Sequence, residues 1–168
     1  MTSMELPDGA IELILEGWPV ASLATVSEGG RPHVVPIVFV RVAGGIWSPI
    51  DGKPKAGGEL ARVRNVRRDS RISLLFEHYE ADWTRLWWLR VDGEAEVRTP
   101  ADPGADPEVA AALAALGRKY PQYQRIPLLG PSPTLLRIRV GVRRSWCASA
   151  AAASAVCGDL GGPGPHQA

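Results

Sequence analysis

Between Lys53 and Arg71 the chain carries seven basic residues, Lys53, Lys55, Arg62, Arg64, Arg67, Arg68 and Arg71, against two acidic ones, Glu59 and Asp69, although the overall formal charge is only +1. Trp47-Ser48-Pro49-Ile50 leads into this block, and Asn65 lies among its arginines. Backbone amides at a strand-to-loop turn and at a helix start, joined by lysines and arginines, suit a phosphate or a chain of carboxylates. The same periodicity equally describes a solvated basic helix.

Other chemistries have little to stand on. His33, His78 and His166 are far apart and lack ligand spacing, so no metal site is expected. Cys147 and Cys157 have no histidine neighbours and form no redox motif. The stretch from Gly45 to Pro54 has the wrong spacing for a triphosphate loop, and Pro54 stands where the magnesium-binding hydroxyl belongs. No nucleophile elbow or triad is visible, so no catalytic side chain is named.

The elements that must position the basic block follow from periodicity. Ile11, Ile14 and Leu15 mark a short helix capped by Asp8 and ended at Gly17 to Pro19. Val20 to Val26 and His33 to Val42 read as a hairpin, and the second strand is apolar on both faces. A strand from Ile46 to Ile50 and a Gly/Pro/Lys loop precede an amphipathic helix, Glu59 to Arg68. Ile72, Leu74 and Phe76 alternate in a strand. In Arg85 to Arg98, Trp87, Leu89, Val91, Ala95 and Val97 share an inner face, and Leu86 and Trp88 share the charged outer one. An alanine-rich helix, Glu108 to Lys119, reads as an insertion. The last strand, Leu135 to Trp146, points Leu136, Ile138, Val140, Val142 and Trp146 inward.

This pattern predicts a mainly β (α+β) fold, a six-stranded antiparallel barrel with short flanking helices. One domain over residues 1–146 and a disordered tail over 147–168 are expected, since the tail is dominated by Ala, Gly, Ser and Pro. The longest apolar run, Val34 to Val40, is far short of the roughly 20 residues of a membrane helix. With Glu5 and Asp8 near its start and no basic leader, the protein is expected in the cytoplasm, away from membranes and nucleic acid.

The runs VASLATVSEGGRPHVVPIVFV, WSPIDGKPK and RVRNVRRDSRISLLFEHYEADWTRLWWLRVDGEAEV resemble the pyridoxamine 5′-phosphate oxidase-like superfamily, and more closely its actinobacterial branch that uses the deazaflavin coenzyme F420. The resemblance implies a split β-barrel homodimer with the cofactor between subunits and a small-molecule substrate. It implies that Val35, Pro36 and Ile37 lie along the tricyclic ring and that Ser48, Pro49 and Ile50 approach it through backbone groups. Lys53, Lys55, Arg62 and Asn65 match the block that grips the phosphate and the acidic tail. Hydride transfer from reduced F420 is the activity implied. FMN in the same groove, or flavin or haem carriage without turnover, are the alternatives. Leu86 and Trp88 are expected at the dimer interface, and His78 and Trp83 either gate the groove or close the barrel.

Overall fold

The computed structural model describes residues 4–50 and 58–161. Helix α1 (Asp8–Gly17) buries Ala10, Ile11, Ile14 and Leu15 on one face, as spacings of three and four require. Asp8 lies in the first turn and Pro7 occupies the cap position, so Asp8 acts on the helix end by charge instead of by capping. There follow β1 (Ala21–Val26), β2 (Pro32–Ile37), β3 (Val40–Val42), β4 (Gly45–Pro49), α2 (Ala61–Arg68), β5 (Arg71–His78), β6 (Trp87–Arg98), α3 (Pro107–Lys119), β7 (Leu135–Cys147) and α4 (Ala150–Gly161).

The strands form one antiparallel sheet in the order β2-β1-β5-β6-β7-β4-β3. Its two outermost strands, β2 and β3, are separated in the chain only by Val38 and Phe39. Outer strands that are consecutive in sequence force the sheet to curl back on itself, which makes it a split barrel. Inside lie Leu23, Ile37, Ile72, Leu74, Phe76, Leu89, Val91 and Ile138, with Ile14 and Leu15 of α1. A second core forms outside the barrel, where Val109, Ala112 and Leu116 of α3 cover Val40 and Trp47.

There are seven strands where six were expected, because the run from His33 to Val42 breaks at Val38 and Phe39. Phe39 is fully buried, and its ring meets Phe76 edge to face at 5.2 Å. The Tyr120 hydroxyl accepts the Phe39 N–H at 3.0 Å and lies 2.8 Å from the Phe39 carbonyl oxygen and 2.9 Å from that of Pro19. A single phenol therefore replaces the ladder bonds that the strand gives up as it bends.

In β7 the expected inward series holds for Leu136, Ile138 and Val140, which packs against the main core, and then reverses. The register with β6 passes from Gly93↔Val140 to Val91↔Arg143, so two β7 residues, Gly141 and Val142, oppose Asp92 alone. The extra residue of this bulge inverts the alternation. Cys147 now lies inside, Val142 is 57% exposed, and Trp146 stands outside opposite Trp88.

Two further expectations are corrected. Leu86 is buried within the subunit, and its carbonyl accepts the Ala148 N–H at 2.9 Å, so it is not on the outer face. Residues 150–161 are helical instead of disordered. Ser149 Oγ accepts the Ala152 N–H at 3.0 Å and donates to the Thr84 carbonyl at 2.7 Å. Ala152, Ala153 and Val156 then bury against the main core. Alanine is a strong helix former with no side-chain entropy to lose, and the α1 surface gives that helix somewhere to pack. Residues 162–168 lie outside the described residues.

Candidate cofactor groove

Strand alternation divides the first set of predicted contacts. Ile37 is buried and Val35 packs on the barrel core, whereas Pro36 and Val34 point outward, Val34 being 60% exposed. Through register, Pro36 is opposite Ser22, Ser22 opposite Leu75, Leu75 opposite Arg90 and Arg90 opposite Arg144. One row thus crosses five strands on the outer face. In the next row, Val34, Ala24, Ser73 and Asp92 keep the floor low, and Ser73 Oγ donates to Asp92 Oδ1 at 2.5 Å. A cavity of about 460 Å³ opens there beside Pro32, floored by Ala24, Ser73 and Gly93.

Ser48 and Pro49 are buried in β4, and Ile50 is half-buried with its N–H donating to the Thr134 carbonyl at 3.0 Å. Because Val40 pairs with Trp47, the end of β4 runs beside the bend that follows Ile37. The first two predicted blocks therefore meet at the split of the barrel. Lys53 and Lys55 lie outside the described residues.

Helix α2 is aimed by a buried contact. Val63 and Val66 pack inward, and between them the Asn65 side-chain amide donates to Thr25 Oγ1 at 2.9 Å. Asn65 and Thr25 are both buried, so the amide faces β1 and not solvent. Arg62 is half-buried one turn earlier. Most of the other arginines are engaged within the subunit. Arg64 donates to the Glu59 carbonyl, Arg67 Nε to the Glu59 carboxylate at 3.0 Å, and Arg68 to the Val26 carbonyl. Arg71 grips Asp69 through its guanidinium and its backbone N–H, holding that carboxyl down at about 2. Arg64, Arg67, Arg68 and Arg71 are thus part of the scaffold, a role that composition did not reveal.

His78 stacks on Trp87 at 6.3 Å and meets Trp18 edge-on at 6.3 Å, which makes it a wall of the barrel end. Trp83, 74% exposed on the turn Trp83–Arg85, stands clear of it. No helix among the described residues is long and apolar enough to cross a membrane.

A family model described as pyridoxamine 5′-phosphate oxidase matches residues 7–147. No curated protein matches the chain. Among solved structures, an FAD-binding protein from Mesorhizobium loti superposes with a TM-score of 0.64 at 18% identity, covering 87% of this chain and 98% of its own. A heme binding protein from Mycobacterium smegmatis gives 0.63 at 20% identity, covering 88% and 61%. A protein described as an F420 reductase gives 0.53 at 19%, covering 82% and 98%. At these identities the likeness concerns the fold.

Proposed function

This chain belongs to the pyridoxamine 5′-phosphate oxidase family, and on that premise we propose that it is an F420-dependent oxidoreductase acting in the cytoplasm on a small organic substrate. The observation that carries the reading is the outer strip of β2, apolar and exposed at Val34 and Pro36, on a strand paired with β1, against which the basic helix α2 packs. Pro36 stands three residues along β2 from His33, the strand partner of Thr25, to which Asn65 of α2 donates, or about 10 Å at the rise of an extended strand. A flat apolar ring joined to a phosphate has this spacing between its two recognition needs.

In this reading Val34 and Pro36 form one wall for the ring and keep water off it, and the backbone at Ser48 to Ile50 borders its edge. Arg62, with Lys53 and Lys55, neutralises phosphate and carboxylate charge. The bound deazaflavin supplies the hydride. The protein contributes alignment and exclusion of water. The outer face of β5, β6 and β7, where Leu75, Trp88 and Trp146 are half-buried and belong to neither core among the described residues, serves as the homodimer interface that closes the groove.

The test is titration of the purified protein with F420 and with FMN under identical conditions, followed by fluorescence and visible absorbance. Tighter binding of F420 is expected. Tighter FMN binding moves the assignment to a flavin enzyme, and a Soret band in the protein as purified moves it to haem carriage.

A further inference from the structure

Lys119, the last residue of α3, places its ammonium 3.9 Å above the Phe39 ring centre and 5.5 Å from that of Tyr120. Its Nζ is enclosed, with no hydrogen-bond partner. An ammonium carries three donors, and enclosed donors are normally satisfied. A lysine at a helix C-terminus is ordinarily explained by the exposed carbonyls and the dipole of that helix. Here the amine bonds no carbonyl and leans over an aromatic face instead.

Lys119 is also one of the residues lining a cleft of about 400 Å³, with Glu16, Val40, Arg41, Ala115 and Arg118. The nearby acids are grouped on Arg41, and one of them, Glu16, lines the cleft itself. Glu12 binds both Arg41 and Arg143, and Glu16 lies 4.0 Å from Arg41. Arg118 has no ion pair among the described residues. The cleft therefore holds two cationic side chains with no carboxylate partner among the described residues, Arg118 and Lys119, beside the Arg41 and Glu16 pair. Burial alone pulls the Lys119 pKa down to about 8, with no acid counteracting it.

We infer that this cleft binds a small ligand through an oxyanion head group, a carboxylate or a phosphate, taken by Lys119 and Arg118 with Arg41 at the rim. An incoming anion supplies the acceptors that the fold withholds from Lys119. The volume is at the lower end of small-ligand sites. None of its lining residues belongs to the proposed cofactor groove, so the two sites can be occupied independently.

The chain has only three lysines, Lys53, Lys55 and Lys119, so carbon-13 labelling of lysine gives a readable NMR titration. The full chain is titrated with sodium phosphate and, separately, with sodium succinate, against sodium chloride at equal ionic strength. One lysine signal, absent from Lys119→Met, is expected to titrate near pH 8 in chloride. In saturating phosphate or succinate its midpoint should rise by about one unit or more, which corresponds to tenfold linkage. Calorimetry should show binding weakened about tenfold or more in Lys119→Met and largely kept in Lys119→Arg. The arm that responds names the head group. If neither anion moves the Lys119 signal beyond chloride, or if Lys119→Met binds as wild type does, the site is refuted. The wild-type NMR titration decides the matter even where the methionine variant fails to fold.

Discussion

The Asn65 side-chain amide on α2 donates to Thr25 Oγ1 on β1 at 2.9 Å, and neither residue reaches solvent appreciably. Thr25 Oγ1 also stands 3.5 Å from His33 Nδ1 on β2. A polar key of this kind fixes the rotation of α2 about its axis, and with it the direction of Arg62. Asn65→Ala is therefore expected to cost about 1–3 kcal/mol of stability by leaving a buried partner unsatisfied. In a double-mutant cycle with Thr25→Val the coupling should be at least about 0.5 kcal/mol. Urea unfolding measures both. Independent effects would show that the Asn65–Thr25 contact does not hold the helix.

For Arg62 the expectation concerns binding. A charge-assisted contact is worth about 1.5–3 kcal/mol, so Arg62→Ala should weaken F420 affinity by roughly tenfold to a hundredfold. The Lys53→Ala, Lys55→Ala double variant should mainly flatten the salt dependence, because flexible lysines act through screened charge. Fluorescence titration at low and moderate salt separates the two. Unchanged affinity in Arg62→Ala would remove α2 from the cofactor site.

Lys119 and Tyr120 set opposing limbs in stability against pH. Burial lowers Lys119 from 10.5 to about 8 and raises Tyr120 from 10.0 to about 12. Between pH 8 and 10.5 the unfolded lysine holds a proton that the folded one has lost, so stability rises with pH. From about pH 10 to 12 the unfolded tyrosine ionises and the folded one does not, so stability falls. A maximum near pH 10 is expected from this pair, with a rising limb of up to about 3 kcal/mol. Lys119→Met should abolish the rise and Tyr120→Phe the fall, as followed by urea midpoints across the range.

At the β6/β7 bulge, a Cβ on Gly93 would lie 2.3 Å from the Arg139 carbonyl oxygen, and one on Gly141 would lie 2.6 Å from that of Asp92. Backbone cannot yield as a flexible side chain can. Gly93→Ala should lower the melting temperature sharply or prevent folding. Gly117→Ala in α3 meets open space and should gain up to about 1 kcal/mol from helix propensity. Equal melting temperatures for the two variants would contradict the close strand approach.

Trp88 and Trp146 face each other outside the barrel, so Trp88→Glu with Trp146→Glu should give a folded monomer by sedimentation velocity. Leu86→Glu, at a site buried within the subunit, should unfold the chain instead. A double tryptophan variant that remains dimeric would place the interface elsewhere.

Period-two runs in β5 and β6, the three-to-four spacing of α1 and α2, and the clustering of charge after β4 were all legible in the amino-acid order, because each is a local record of which face is wetted. The blocks that resemble the oxidase family were legible for the same reason. Local patterns carry no notice of a distant partner. Phe39 leaves its strand because Tyr120, 81 residues later, satisfies its backbone, and the alternation of β7 inverts because one extra residue enters its pairing with β6. Residues 150–161 gain a helix only once α1 offers an apolar surface, and Asn65 turns inward only because Thr25 waits there. In each case the deciding energy is that of burying a polar group with its partner or an apolar one with its neighbours, and that partner is assigned by the closed barrel.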